Sequence, residues 1–264
     1  MPMEILSVVC AVNDEKVFQN NLMASPFLSG SNRHQVIAMR GFSSASKAYN
    51  SGIEEAENDL IVFAHQDVFF PAGWLQDLML TLEKFEKLDP DWGVLGSFGV
   101  TGDREFRGHV YSAGLRRILG EHFDEPVEVQ TLDELVLIVR KSSGLRFDKS
   151  LPYFHFYGAD ICMAAHASGR KSYAIPAFCI HNSNQVVFFP PEFYACWSHF
   201  RKRWAGMLPV QTTCATVTGS ATSIPTRMFK EKLRQFQARL IGIDPYRKRN
   251  LRLQDPRTYL EHQG

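Results

Sequence analysis

The chain has 264 residues, 45% hydrophobic and 22% charged, with a formal net charge of +1. That composition fits a soluble globular protein of one large domain with an appendage, and the near-zero charge gives no reason to expect nucleic acid as a partner. The five cysteines (Cys10, Cys162, Cys179, Cys196, Cys214) are odd in number and form no C-x-x-C pair, which argues against a disulfide framework or a zinc knuckle and for buried thiols in a reducing, cytoplasmic compartment.

The N-terminal run Ile5 to Val12 is apolar and β-branched and ends at the turn-like "NDEK". It reads as a buried first strand; without a basic region before it, it is not a signal peptide. Asn13 or Asp14 then caps a helix expected to run to about Leu28, where "SPFLSGSN" breaks it. "QVIAMR" is a second strand, and "SSASKAYNSGIEEAEN" is a helix with Ser at its N-cap and Ala45, Ala48, Tyr49 and Ile53 on one face. Leu60 to Ala64 is a third buried strand. "PAGWLQDLMLTLEKFEKL" follows as a helix with Trp74, Leu75, Leu78, Met79, Leu82 and Phe85 on one side, and "DPDWGVLGSFGV" gives a turn and a fourth strand.

This order describes a mostly parallel central sheet with helices on both faces, an α/β fold in which ligands bind at the carboxyl ends of strands. The middle third is less regular. Gly102 to Gly120 is rich in Gly and Arg and reads as loop with short strands, and "VEVQTLDELVLIVRKS" as two strands around a turn. "GADICMAAHASGRK" is a helix stopped by Gly169, and "SYAIPAFCIHNS" a strand ending at His181. Thr212 to Ser223 has linker composition, and "PTRMFKEKLRQFQARLI" places Met228, Phe229, Leu233, Phe236 and Leu240 on one helical stripe. From Arg227 to Arg257 ten Lys/Arg face three acids, so this end is basic. Two readings stay open for the stripe, packing back on the domain or docking on anionic lipid. No run approaches the roughly 18 apolar residues of a membrane span.

Four places carry candidate chemistry. "HQD" (His65, Gln66, Asp67) interrupts an apolar run where the third strand ends. A hard cation beside substrate phosphates needs only one or two carboxylates, so Asp67 suits a ligand as well as it suits a cap for the next helix. Asp160 sits in the first turn of a helix amid Tyr153, Phe154, His155, Phe156 and Tyr157, as a dipole-favoured carboxylate or as a general base beside rings a sugar packs on. His181 closes a strand, as a structural histidine or a metal ligand. Asn50 lies inside its helix.

The succession "CAVND", "AYNSGIEEAENDLIVFAHQDV", "FDKSLPYFHFYGADICMAAHASGRKSYAIP", "CIHNS" resembles family 2-type glycosyltransferases of the GT-A fold, over roughly Ile5 to Ser183. It looks closest to a bacterial branch whose relatives include streptomycin- and capsule-biosynthesis proteins. The resemblance implies an inverting, metal-dependent enzyme with Mn or Mg and a nucleotide-sugar donor. A saccharide or lipid-linked acceptor, and a place in bacterial polysaccharide or glycoconjugate synthesis, go with it. It makes Asp67 and His181 metal ligands and Asp160 the base. Asn13, Asp14, Asn50, His65, Gln66 and Asp67 would meet the donor, and Asp133, Glu134, Tyr157 and Trp197 the acceptor. His65 stands where the D-x-D motif has its first acid, Ala159 where the acidic pair has Glu, and Tyr49 where "R-N-x-G" has Arg. The second strand lacks the family's Asp-Asp-Gly-Ser block. The expected domains are a GT-A-like unit over 1–205 and a linker with a basic amphipathic helix over 206–264, the helix being a candidate peripheral contact with the inner face of the membrane. A non-catalytic sugar-nucleotide-binding protein and a nucleotidyltransferase are the rivals. The second would want a glycine in "CAVNDEKVFQ".

Overall fold

The computed structural model describes residues 6–29, 34–184, 189–220, 223–242 and 251–262. Ile5, residues 243–250 of the basic tail and the side chain of Met228 lie outside the described parts. In chain order the elements are β1 (Ser7–Val12), α1 (Glu15–Asn20), β2 (Gln35–Arg40), α2 (Ala45–Glu55), β3 (Leu60–Ala64), β4 (Val68–Phe69), α3 (Trp74–Leu88), β5 (Val94–Gly96) and β6 (Phe98–Val100). Then come β7 (Phe106–Ser112), β8 (Arg117–Glu121), β9 (Val127–Val129), β10 (Thr131–Leu132), β11 (Val136–Arg140), α4 (Tyr157–Ala167), β12 (Ser172–Ala174) and β13 (Cys179–His181). The chain continues with α5 (Pro191–Arg203), β14 (Val210–Gln211), β15 (Thr216–Val217) and α6 (Ser223–Leu240).

Seven strands form the central sheet in the order β2-β1-β3-β11-β5-β12-β9. β2, β1, β3, β5 and β12 run the same way, while β11 and β9 oppose them. The expected mostly parallel sheet is present, with an antiparallel strand between its halves. Successive residues of each central strand alternate between two cores. Val9, Ile61, Phe63, Leu137 and Val139 face the core that holds the apolar sides of α2, α4 and α5. Val8, Cys10, Val62, Ala64, Val136 and Ile138 face the one that holds those of α1 and α3. A strand buried on both sides reads as a continuous apolar run, which is why β1 and β3 stand out in the sequence. α2 lies so close to β1 that a Cβ on Gly52 would come within 2.3 Å of Val9 Cγ1.

A second sheet, β10-β6-β7-β13-β4 with β8 on β7, corrects the reading of the middle third. The Gly- and Arg-rich stretch is a strand pair, β7 and β8, not mostly loop. "WGVLGSFGV" and "SYAIPAFCIH" are each two strands rather than one. Each breaks where the chain leaves the central sheet for the second one, at Ser97 and around Pro176, whose missing N–H suits a ladder's end. α1 is also shorter than expected. The Asn21 side-chain amide donates to Val17 O at 2.8 Å and replaces a further helical turn.

Thr212 to Ser223, linker-like in composition, begins within a hairpin, β14–β15, whose Val210 and Val217 are buried against the domain. Thr131 Oγ1 donates to Gln211 O at 2.6 Å and fastens the hairpin to β10. On α6, by contrast, Phe229, Leu233, Phe236 and Leu240 are all exposed, so the stripe does not pack back on the domain.

Gly52→Ala is expected to lower the unfolding free energy by about 1–3 kcal/mol through overpacking of α2 on β1. Urea denaturation reads this directly; an unchanged midpoint would mean that the helix can shift off the sheet at no cost.

Candidate active site

β3 ends at Ala64 and the chain turns at once, with Val68 N donating to His65 O at 3.1 Å. The turn leaves His65 half-buried at the sheet's carboxyl edge and Asp67 nearly buried. β13 then supplies the partner: its antiparallel register with β4 sets His181 opposite Val68, and Asn182 N donates to Asp67 O at 2.8 Å. Asp67 Oδ1 consequently lies 3.4 Å from His181 Nε2 and 4.0 Å from His65 Nδ1. One ligand atom from each of the three residues falls within 4.8 Å of the others.

Burial alone would raise the Asp67 carboxyl, but His181, His65 and Arg252 outweigh it and hold the group well below the usual carboxylate range. Burial would lower His181, and Asp67 reverses that and raises it. His65 is lowered, by burial first, with Asp67 opposing. Its Nε2 lies 2.7 Å from the Tyr157 hydroxyl, which in turn donates to Glu134 O at 3.2 Å. The Tyr157 hydroxyl thus holds the His65 ring from its Nε2 side and leaves Nδ1 on the side of Asp67. Two imidazoles and one carboxylate, with an outer hydrogen bond orienting a ring, make a donor set that fits a divalent cation.

Gln66 faces away from this cluster. Its Oε1 accepts from Asn13 N and Asp14 N, both at 3.0 Å, and its Nε2 donates to Asn13 Oδ1 at 2.6 Å. The amide staples the loop after β1 to the loop after β3, so two segments read separately in the sequence form one rim. Asp14 also caps α1 through Val17 N at 3.2 Å.

Three residues expected to contact ligands are engaged inside the protein in this structure. Asn50 is buried, and its amide clasps the backbone of Phe147 from both sides, at 2.8 and 3.0 Å; it braces the core rather than facing the cleft. Trp197, on the inner face of α5, is buried with Arg201 over its ring, so it offers little surface to an acceptor. Tyr157 is buried as well and acts on His65 instead.

Asp133 and Glu134, both half-buried, lie between β10 and β11. Asp133 accepts from Thr213 Oγ1 at 2.8 Å. The Glu134 side chain lies against Gly158, where an added Cβ would meet its Cγ at 3.2 Å and Leu132 O at 2.9 Å. Glycine here lets the loop and the first turn of α4 touch. Burial, reinforced by Asp133, pushes Glu134 up to about 8.

Asp160 lies one turn beyond Tyr157 on α4 and is fully buried. Oδ1 accepts from Trp204 Nε1 at 2.8 Å, and Arg203 Nε stands 3.5 Å away. Oδ2 is buried with no hydrogen-bond partner among the described residues. Burial raises its pKa against the opposing pull of Arg203 and Trp204. The entry to α4 is strained, with Tyr153 and Phe156 at φ 55° and 66°, held by Ala45 N donating to Tyr153 O at 2.9 Å.

Sequence reading missed Trp204, Arg203 and Arg252. Arg252 reaches this region from the other end of the chain. Its carbonyl accepts from Asn21 Nδ2 at 2.9 Å, its Nε is buried without a partner among the described residues, and its charge acts on Asp67 and His181. Asn182 Nδ2 ties the same segment down through Gln254 O at 3.0 Å. The only signal in the sequence was the basic excess of the tail.

A family model described as "Glycosyltransferase like family" matches residues 7–195. A protein of Fuscovulum blasticum described as "ATP synthase subunits region ORF 6" is 29% identical over 136 residues, 48% of this chain and 52% of that protein. The chain thus spans about half the length of this curated relative. Among solved structures, Staphylococcus aureus TarS 1–349 in complex with UDP is 15% identical with a TM-score of 0.48, over 76% of this chain and 65% of that one. GalNAc-T7 with UDP, GalNAc and Mn2+ is 9% identical with a TM-score of 0.48, over 77% and 48%.

The folded protein keeps a proton on Glu134 between pH 4.5 and about 8 that the unfolded chain releases. Its stabilising share is therefore full below pH 4.5 and lost as pH rises through 8. Relative to the parent, Glu134→Gln is expected to gain in melting temperature as pH is raised across this window. A gap between the two proteins that does not change with pH would remove the assignment.

Proposed function

Because the chain belongs to the glycosyltransferase-like family, we propose that its GT-A-type α/β domain transfers a sugar from a nucleotide-sugar donor to a hydroxyl acceptor at the rim holding His65, Asp67 and His181. The observation that carries this reading is the buried Asp67 carboxylate between two imidazoles at the carboxyl end of β3, where an α/β sheet binds its ligands. A divalent cation held there would neutralise charge on the departing diphosphate. Two nitrogen donors favour a transition ion over Mg2+. Arg252 supplies a fixed positive charge on the same side and suits the phosphates.

Asp160 is the proposed base. In the step it serves, the acceptor O–H gives its proton to the carboxylate while the oxygen bonds to the anomeric carbon. The bond from that carbon to the diphosphate breaks, and the nucleoside diphosphate leaves with the electron pair. Attack opposite the leaving group inverts the centre. A buried carboxylate with a raised pKa is a strong proton acceptor, and the unpartnered Oδ2 is the atom left for the work. Trp204 Nε1 holds the neighbouring Oδ1 and Oδ2 is itself buried, so the packing around Asp160 has to open for the acceptor to reach it. Asp133 and Glu134 border the same turn of α4 and are proposed to meet the acceptor. Asn13 and Asp14, on the stapled rim, are proposed to meet the donor.

Titration calorimetry with Mn2+ is expected to show binding that Asp67→Ala abolishes and Tyr157→Phe weakens about tenfold. Equal affinity in all three proteins would move the metal site elsewhere.

A panel of nucleotide sugars with Mn2+, read by nucleoside diphosphate release, tests the enzyme. Asp160→Asn is expected to cost at least about 100-fold, while Trp204→Phe keeps or raises release. Release unaffected by Asp160→Asn would remove the base assignment, and no release from any donor would favour a binding-only protein.

A further inference from the structure

We propose that α6 is a docking surface for an anionic lipid bilayer, which it meets with the Phe229–Leu233–Phe236–Leu240 stripe laid into the interface. These side chains are exposed, Phe229 by 69%, Phe236 by 59% and Leu240 by 70%. At 3.6 residues per turn the four fall within roughly 60° of arc. That is a narrow, continuous apolar edge rather than scattered surface leucines.

The charge around the edge identifies what covers it. Lys230 and Arg234 flank it on one side, Lys232 and Arg239 on the other, and all four are exposed. Between Phe229 and Ile241 the sequence holds one acid, Glu231. Long basic side chains beside an apolar edge keep their charges at headgroup level while their methylenes and the rings enter the acyl boundary. A second copy of the helix would fit poorly, because pairing two such stripes brings cationic rows together with almost no acids to answer them. No helix among the described residues is long and apolar enough to cross a membrane, so contact through α6 would be peripheral. The inference lies outside the sugar-transfer reading and stands without it.

Flotation of the full chain with phosphatidylcholine vesicles, with and without phosphatidylglycerol, tests it at low and high salt. The parent is expected to float only with the anionic vesicles and to be released as salt rises. Phe229→Ser with Phe236→Ser, and separately Lys230→Glu with Arg234→Glu, should each reduce the floating fraction about tenfold. The thermal melt should stay that of the parent, since the replaced groups are exposed. Three results would overturn the proposal: a parent that does not float, flotation equal on uncharged vesicles, or variants that bind like the parent. Sedimentation showing a dimer dispersed by the Phe→Ser pair would equally overturn it, in favour of a second copy on the stripe.

Discussion

A carboxylate taken out of water keeps its charge only if other groups answer it, and Asp67 is that carboxylate here. It sits nearly buried where β3 ends, and the surrounding fold is arranged to supply its partners. β13 brings His181 through its register with β4, the turn after β3 brings His65, and the C-terminal segment brings the charge of Arg252. The second sheet is what joins these elements, since β4 and β13 are both its strands.

Amides and hydroxyls hold the segments around the rim together. Gln66 locks the first loop to the third, Asn50 fastens α2 to the chain before α4, and Tyr157 fixes the His65 ring from the first turn of that helix. Each group is buried with its hydrogen bonds made, which costs little in stability and leaves few alternative arrangements. Asp160 differs, because one of its oxygens has no partner among the described residues. Helix α4 thus carries two kinds of polar group one turn apart, one satisfied and holding a neighbour, the other held by Trp204 through one oxygen only.

Much of the fold was legible because the strands of the central sheet are buried on both faces and the main helices on one. Burial writes itself into sequence as runs and periods, so β1, β2, β3, α2, α3 and α4 could be read directly. The breaks at Ser97 and Pro176 could not, since an apolar run continues across a change of sheet with nothing in its period to mark it. Asp67 and His181 stood out through their positions at strand ends, and the structure sets them 3.4 Å apart. The burial of Asn50, Tyr157 and Trp197 could not be read, because residue type does not reveal which way a polar or aromatic side chain faces. Trp204 and Arg252 went unread because their partners lie 44 residues away in one case and near the opposite end of the chain in the other.

The sequence by itself determined the α/β class, the strand ends that carry chemistry, and the amphipathic period of α6, because each is a local consequence of burial and backbone geometry. Tertiary structure alone decided which polar groups meet, that Asp160 is covered, and that the α6 stripe stays in solvent. Those outcomes depend on strand order, register and the packing of segments far apart in the chain, and none of these leaves a mark on neighbouring residues.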